Sequence, residues 1–240
     1  MSTRPCPVHY ATTERGTAVL DTRPFRGRWR FMDPLTAELW TAILSGTPAD
    51  GAIDSIAGQV AARSNVTADR VRQDLRTVAS DLDGARLLAP AHPAAARPAP
   101  TVRFATPAVG QTAIRAAAAT GLALTLVVLR CAPLRWTIAV ATAATRLPSR
   151  TATVAEVERL HAAVRRAARI WPGRAACLEE SLATFLAAAL TGRRCRWVLG
   201  AAFLPQGAHA WVEAGGSVVG QAEQDRIWPY TPVLEVERSN

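Results

Sequence analysis

The sequence contains no lysine, so arginine supplies all 28 of its Lys and Arg side chains, and it has only four cysteines in 240 residues. The cysteines are Cys6, Cys131, Cys177 and Cys195, and their spacing fits no zinc-binding pattern. The first ten residues lack the apolar core of a secretory signal peptide. We therefore expect a cytoplasmic protein with free thiols that uses neither a metal nor another cofactor.

Long apolar runs are also lacking. Ala116 to Leu129 is an uncharged apolar run of 14 residues, whereas a helix that spans a bilayer needs about 20. The formal net charge is +9, and it is uneven: residues 1–90 carry +1 (11 Arg against 10 acids) and residues 91–240 carry +8 (17 Arg against 9 acids). We expect the helices of residues 109–150 to be buried or docked peripherally. The charge of the basic half is consistent with general solubility, and the alternatives are an acidic partner, an anionic membrane surface or a nucleotide-bearing partner.

The main functional signal is a cysteine that opens a helix and a later histidine within a strand. A Pro-Gly pair precedes Cys177, and apolar residues then recur at helical spacing as far as Leu190. Unpaired N–H groups and the positive end of the helix dipole favour a thiolate at such a position and can hold an oxyanion. The residues around His209 form a strand pattern that ends at a Gly-Gly hairpin signal. A nucleophile and its base can be brought together in this way.

Two blocks, Cys177 to Leu182 and His209 to Glu213, resemble the transglutaminase-like leader peptidases of lasso peptide biosynthesis, called B proteins. The resemblance covers about the last hundred residues. It implies a papain/transglutaminase-like cysteine protease domain over residues 109–240, with Cys177 as the nucleophile and His209 as the general base.

The same resemblance implies a third catalytic residue, an Asp shortly after the Gly-Gly turn. Gln221 occupies the matching position in this sequence. A glutamine can orient an imidazole by a hydrogen bond, but it cannot stabilise an imidazolium as an anion would. Glu223 and Asp225 are the alternatives for this role.

Residues 1–90 show three strand patterns followed by three amphipathic helices. The predicted strands run from Val8 to Thr13, from Thr17 to Thr22 and from Arg28 to Met32. Asp33 and Pro34 predict the start of the first helix, as its N-cap and first residue.

This order resembles the leader-recognition domain typified by the pyrroloquinoline quinone biosynthesis protein D, which is a small winged-helix-like fold. The resemblance implies that a leader peptide adds a strand along the third β-strand, beside the third helix. The predicted peptide-binding residues are Arg28, Trp29, Arg30, Phe31, Val71, Arg72, Leu75 and Val78. DNA binding is disfavoured because this part of the chain is nearly neutral, and DNA affinity depends on neutralising phosphates.

Residues 91–108 are predicted to be a Pro/Ala linker, because five prolines occur among small residues between 89 and 108. Beyond it, Thr153 and Glu156 form a capping-box pattern at the start of an amphipathic helix. His161 of that helix is expected at the surface or its boundary, outside the catalytic site.

Together these features predict an α+β chain in which a three-strand, three-helix recognition domain is joined to a cysteine protease domain. The expected activity is removal of the leader from a ribosomally made lasso precursor. The resemblance implies a separate ATP-dependent lasso cyclase as a partner, and no nucleic acid. Two alternatives remain: acyl transfer to an amine on the same fold, and a non-catalytic adaptor that presents the leader to the cyclase.

Overall fold

The structure is a computed structural model that describes residues 6–94, 101–104, 112–173, 175–221 and 230–237. These residues form two compact units. The first contains the described residues up to Asp21 together with Trp29–Pro93, and the second contains Thr22–Arg28 and the described residues from Ala94 onwards. Most of the predicted Pro/Ala linker, residues 95–100 and 105–108, lies outside the described residues.

A four-stranded sheet of order β3-β2-β1-β4 forms one side of the first unit. Its strands are β1 (Val8–Thr13), β2 (Gly16–Asp21), β3 (Arg28–Met32) and β4 (His92–Pro93). A two-residue turn joins β1 to β2 in an antiparallel hairpin, whereas the short β4 pairs with β1 in parallel. At Gly16, which has φ +125°, a Cβ atom would lie 2.0 Å from the carbonyl oxygen of Met32, so only glycine allows this approach.

Three helices complete this unit: α1 (Pro34–Leu44), α2 (Ala49–Arg63) and α3 (Ala68–Gly84). The predicted start of α1 is confirmed, since a carboxylate oxygen of Asp33 accepts the N–H groups of Leu35 and Thr36 at 2.9 and 3.0 Å. Trp40 is fully buried, and its indole N–H donates to the carbonyl of Leu87 at 3.0 Å. The predicted order of three strands and three helices is therefore observed, with one short strand added.

The second unit has four helices and a five-stranded sheet of order β11-β8-β9-β10-β5. The helices are α4 (Thr112–Cys131), α5 (Leu134–Ala144), α6 (Val154–Ile170) and α7 (Cys177–Leu190). The strands of this sheet are β5 (Thr101–Phe104), β8 (Arg196–Phe203), β9 (Gln206–Ala214), β10 (Ser217–Gln221) and β11 (Thr231–Val236). A separate parallel pair is formed by β6 (Arg150–Thr151) and β7 (Arg193–Arg194).

Helix α4 has 20 residues, six more than the apolar run in the sequence suggested. By length and composition it is the one helix of the described chain that could cross a membrane. Part of it is nevertheless core, because Ala118, Leu122 and Leu126 are buried in a cluster with α6 and α7. At Gly121 a Cβ atom would lie 2.6 Å from the carbonyl oxygen of Ala183, so glycine lets α4 approach α7 closely.

Helix α6 begins at the capping box that the sequence predicts. The Thr153 hydroxyl accepts the Glu156 N–H, and a Glu156 carboxylate oxygen accepts the Thr153 N–H at 3.0 Å. The same carboxylate receives Arg150 from β6 and Arg193 from β7. The hydrogen bonds from Arg150, together with these others, hold the pKa of Glu156 well below its usual range. One carboxylate therefore fixes the start of α6 to the short parallel pair.

Candidate active site

The candidate nucleophile lies at the start of a buried helix. Cys177 is the first residue of α7, as predicted, and its thiol is free and half-buried. The Glu179 carboxylate accepts the N–H of Ala176 at 3.0 Å and so caps the helix. Eight consecutive residues of α7, from Ser181 to Ala188, are buried. The helix thus presents Cys177 at its dipole-positive end while the rest of it is fixed in the core.

The turn before α7 is also tightly packed. Helix α6 ends at Ile170, and Trp171, Pro172 and Gly173 follow. A Cβ atom on Gly173 would lie 2.5 Å from the indole nitrogen of Trp171, and the guanidinium of Arg130 lies 5.1 Å from the centroid of that ring. Glycine is needed here because the backbone runs directly against the indole.

The candidate base is on the central strand of the sheet. His209 belongs to β9 and pairs with Gly200 of β8. Its ring lies 6.0 Å from that of Trp211 in a stacked arrangement and 5.2 Å from that of Tyr230. A Cβ atom on Gly200 would lie 2.5 Å from the Trp211 ring, so glycine at this position leaves space for the indole beside His209.

A buried carboxylate anchors this aromatic group. Because side chains alternate along a strand, His209, Trp211 and Glu213 share one face of β9. The Trp211 indole N–H donates to Glu213 at 2.7 Å, and Arg196 of β8 donates to the other oxygen of that carboxylate at 3.4 Å. On the opposite face, Trp197 donates to Ser181 of α7 at 3.0 Å. The two faces of the sheet are therefore each fixed by a buried indole hydrogen bond.

One cavity of about 210 Å³ brings these elements together. Cys177 and His209, which are 32 positions apart in the sequence, both line it. Its other polar lining residues are His161 and Arg165 from α6 and Glu180 and Ser181 from α7. A thiol, two imidazoles, a guanidinium and a carboxylate around one small space provide groups for nucleophilic attack and for proton transfer.

One of three comparisons with known proteins gave a match. Residues 121–235 match the sequence model of one family, described as the transglutaminase-like superfamily. Searches of the curated proteins and of the solved structures gave no match to this chain. This superfamily generally comprises cysteine peptidases and transglutaminases, so the match suggests cysteine-dependent acyl transfer, to water or to an amine.

The transglutaminase-like domain contains a histidine in its cavity that the sequence reasoning left out of the site. His161 is at the surface boundary, as expected, but it lines the cavity with Cys177. Its Nδ1 atom lies 3.1 Å from the hydroxyl of Thr184 on α7. Arg165, one turn further along α6, lines the same cavity and lies 3.6 Å from the Glu180 carboxylate.

For Gln221, the third predicted member of the triad, the structure describes the backbone but not the side chain. Gln221 is the last residue of β10 and pairs with Phe104 of β5. Glu223 and Asp225, the alternatives for this role, lie outside the described residues. Gln221 follows Gly220, a cavity residue with φ +78°.

The predicted peptide-binding residues lie in two different environments. β3 is an edge strand, on which Arg28 is exposed and Trp29, Arg30 and Phe31 are half-buried. Among the described residues, β3 has a neighbouring strand on one side only.

The α3 half of that prediction needs correction. Val71 and Leu75 are 7% and 3% exposed and belong to a core cluster with Leu39 and Ile53, so neither side chain is available to a bound peptide. Val78 is half-buried against the same cluster. Arg72 is half-buried and is occupied by Asp54 at 2.8 Å and by Asp69.

Proposed function

We propose that this protein is the leader peptidase of a lasso peptide pathway, which binds a precursor by its leader and hydrolyses the leader–core peptide bond. One observation carries the proposal: within a transglutaminase-like domain, a cysteine at a helix N-terminus and a histidine on the adjoining sheet line the same cavity. The lasso pathway itself is proposed from the sequence blocks at Cys177 and His209.

In this mechanism His209 takes the proton of the Cys177 thiol, and the sulfur attacks the scissile carbonyl carbon. N–H groups of the first turn of α7 face the oxyanion that forms. His209 then gives its proton to the leaving amine as the C–N bond breaks, which leaves a thioester on Cys177. Water, deprotonated by His209, attacks the thioester and releases the leader carboxylate, and the thiol recovers its proton. Gln221 is proposed to orient His209.

Leader recognition is proposed for the edge of β3. A peptide strand added there would extend the sheet through main-chain hydrogen bonds. Since recognition and cleavage residues are on one chain, a bound leader also raises the local concentration of the scissile bond near the cavity.

The test uses a short precursor peptide encoded near this gene, with its products measured by mass spectrometry. The wild-type protein should release a leader that ends in a free carboxylate. Cys177→Ala should abolish cleavage but leave leader binding unchanged, and the matched control Cys131→Ala, at an exposed cysteine, should cleave normally. A new amide on the leader would mean acyl transfer to an amine instead. Leader binding without any turnover would favour the adaptor.

Leader binding has its own test, by fluorescence anisotropy with a labelled leader peptide. Phe31→Ala should weaken binding because Phe31 is half-buried on the edge strand, where a peptide can cover it. Phe25→Ala, which removes an aromatic residue that is 48% exposed and off this strand, is the control. Equal affinity in the two variants would remove β3 from the recognition surface. Leu75 is unsuitable for this test because it is part of the core.

A further inference from the structure

His161 is held by a neighbouring hydroxyl whose single proton is already in use. Thr184 is fully buried, and its hydroxyl donates to the carbonyl of Glu180 at 2.7 Å. A hydroxyl has only one hydrogen, so at the His161 Nδ1 atom, 3.1 Å away, Thr184 must accept. His161 therefore carries a proton on Nδ1, and its ring orientation is fixed from α7.

The opposite edge of the same ring lies directly on the backbone of β10. A Cβ atom added to Gly220 would lie 2.0 Å from Cδ2 of His161 and 2.5 Å from its Nε2 atom. No side chain other than hydrogen fits beside the imidazole there. The pairing of β10 with β5 is also irregular between Val218 and Gln221, so the strand is locally distorted where the ring meets it.

We propose that His161 is a positioning residue of this site, which holds the bulged end of β10 at Gly220, and with it Gln221, in the place that His209 requires. The inference rests on the proposed function, because it takes Cys177 and His209 as the reacting pair. Thr184 fixes one edge of the imidazole, and the other edge supports the glycine that precedes the proposed orienting residue. Only glycine at position 220 lets the imidazole of His161 approach the backbone of β10 so closely.

Charged and titratable groups surround His161 in the cavity. Arg165 is on the same helix, Glu180 and Cys177 come from α7, and His209 comes from β9. The proposed role is geometric and does not require His161 to gain or lose a proton. This distinguishes it from a second acid or base in the cavity, and the two roles predict different behaviour of an asparagine variant.

The measurement is the rate at which iodoacetamide alkylates Cys177 between pH 5 and pH 9, followed by mass spectrometry, beside the rate of precursor cleavage. His161→Ala should slow both by about tenfold, as expected for a misplaced catalytic group. His161→Asn should stay within about threefold of wild type with an unchanged pH profile, because its amide N–H can donate to Thr184 as Nδ1–H does. Thr184→Val should behave like His161→Ala, and Thr184→Ser like wild type.

A general loss of stability is controlled by Val164→Ala, which removes buried volume from α6 without touching the cavity. It should lower the melting temperature and leave the alkylation rate unchanged. Wild-type rates in His161→Ala would overturn the proposal, as would equal slowing by Val164→Ala. A His161→Asn variant as slow as His161→Ala, or with a shifted pH profile, would mean that the imidazole transfers protons. A wild-type protein whose Cys177 is neither reactive nor able to cleave would instead refute the proposed function, and this inference with it.

Discussion

The strongest quantitative prediction concerns Cys195, the buried thiol between β7 and β8. It is 5% exposed, and burial, together with the negative charge of Glu237, raises its pKa to about 12 from an ordinary value of 9.0. The chain has no lysine and only two tyrosines, so few other groups titrate in this alkaline range. The folded protein should therefore lose stability in alkali mainly through one thiol.

The sign and size follow from the difference in bound protons. Below pH 9 the thiol is protonated in both the folded and the unfolded chain, so its contribution to the free energy of unfolding is fully present. Between pH 9 and about 12 the unfolded chain releases this proton and the folded chain keeps it. The free energy of unfolding should then fall by about 1.4 kcal/mol per pH unit, or about 2 kcal/mol between pH 9 and pH 10.5.

Urea denaturation at pH 8, 9, 10 and 10.5, followed by circular dichroism, measures this loss. Cys195→Ala is the matched control, since it removes the thiol and leaves every other titratable group in place. The wild-type free energy of unfolding should fall more steeply than that of the variant above pH 9, and the two slopes should agree below it. Parallel curves throughout would refute the buried, neutral thiol.

Three further predictions concern other parts of the chain. Glu156→Gln should lower the free energy of unfolding at pH 7 by about 1–2 kcal/mol. Because the pKa of Glu156 is lowered in the folded state, its contribution to the free energy of unfolding is present above pH 4.5 and is lost as the pH falls below that value. Urea denaturation should therefore show a smaller decrease in the free energy of unfolding from pH 7 to pH 4 in the variant than in the wild type. Burial, followed by the nearby His92, lowers the pKa of His9 from 6.5 to about 4. The free energy of unfolding of the wild type should therefore fall as the pH falls below 6.5. His9→Asn should reduce that decrease in the same series of urea denaturations. Trp136 of α5 is 58% exposed, and residues 112–150 carry five arginines and no acid. The protein should therefore sediment with anionic vesicles but not with neutral ones. Trp136→Glu should abolish this binding, whereas Ile170→Glu, at an exposed residue of α6, should leave it unchanged.

Local signals in the sequence were sufficient for the element boundaries that position the site. A capping residue such as Asp33, or the pair Thr153 and Glu156, acts within one helical turn, so the sequence alone specifies its partners. The start of α7 at Cys177 was predicted for the same reason, from a Pro-Gly break and a periodic apolar run. Cys177 and His209 line one cavity because α7 packs against β9. The periodicity of the sequence did not predict this pairing of the two residues, and only the family resemblance indicated it.

The resemblance, not the periodicity, pointed to a peptide-binding face on α3, and two residues of that face are buried in the core. Apolar residues at helical spacing mark the side of a helix that meets an apolar neighbour, and this neighbour can be the core or a ligand. For Val71 and Leu75 it is the core formed with α1 and α2. The recognition surface proposed on β3 depends instead on the position of that strand at the edge of the sheet.

His161 was expected at the surface or its boundary and outside the site, although it lies beside the apolar residues of α6. Val157, Leu160 and Val164 are buried, and His161, four residues after the first and three before the last, lies on the same side of the helix. A polar side chain enclosed by such a stripe must either be solvated or find partners inside the fold. His161 finds a hydroxyl on α7 and the bare backbone of Gly220, and both contacts join segments that are distant in the sequence. The glycine immediately before the proposed orienting residue was visible in the sequence, but the ring that requires it could be identified only when α6 and β10 were placed together.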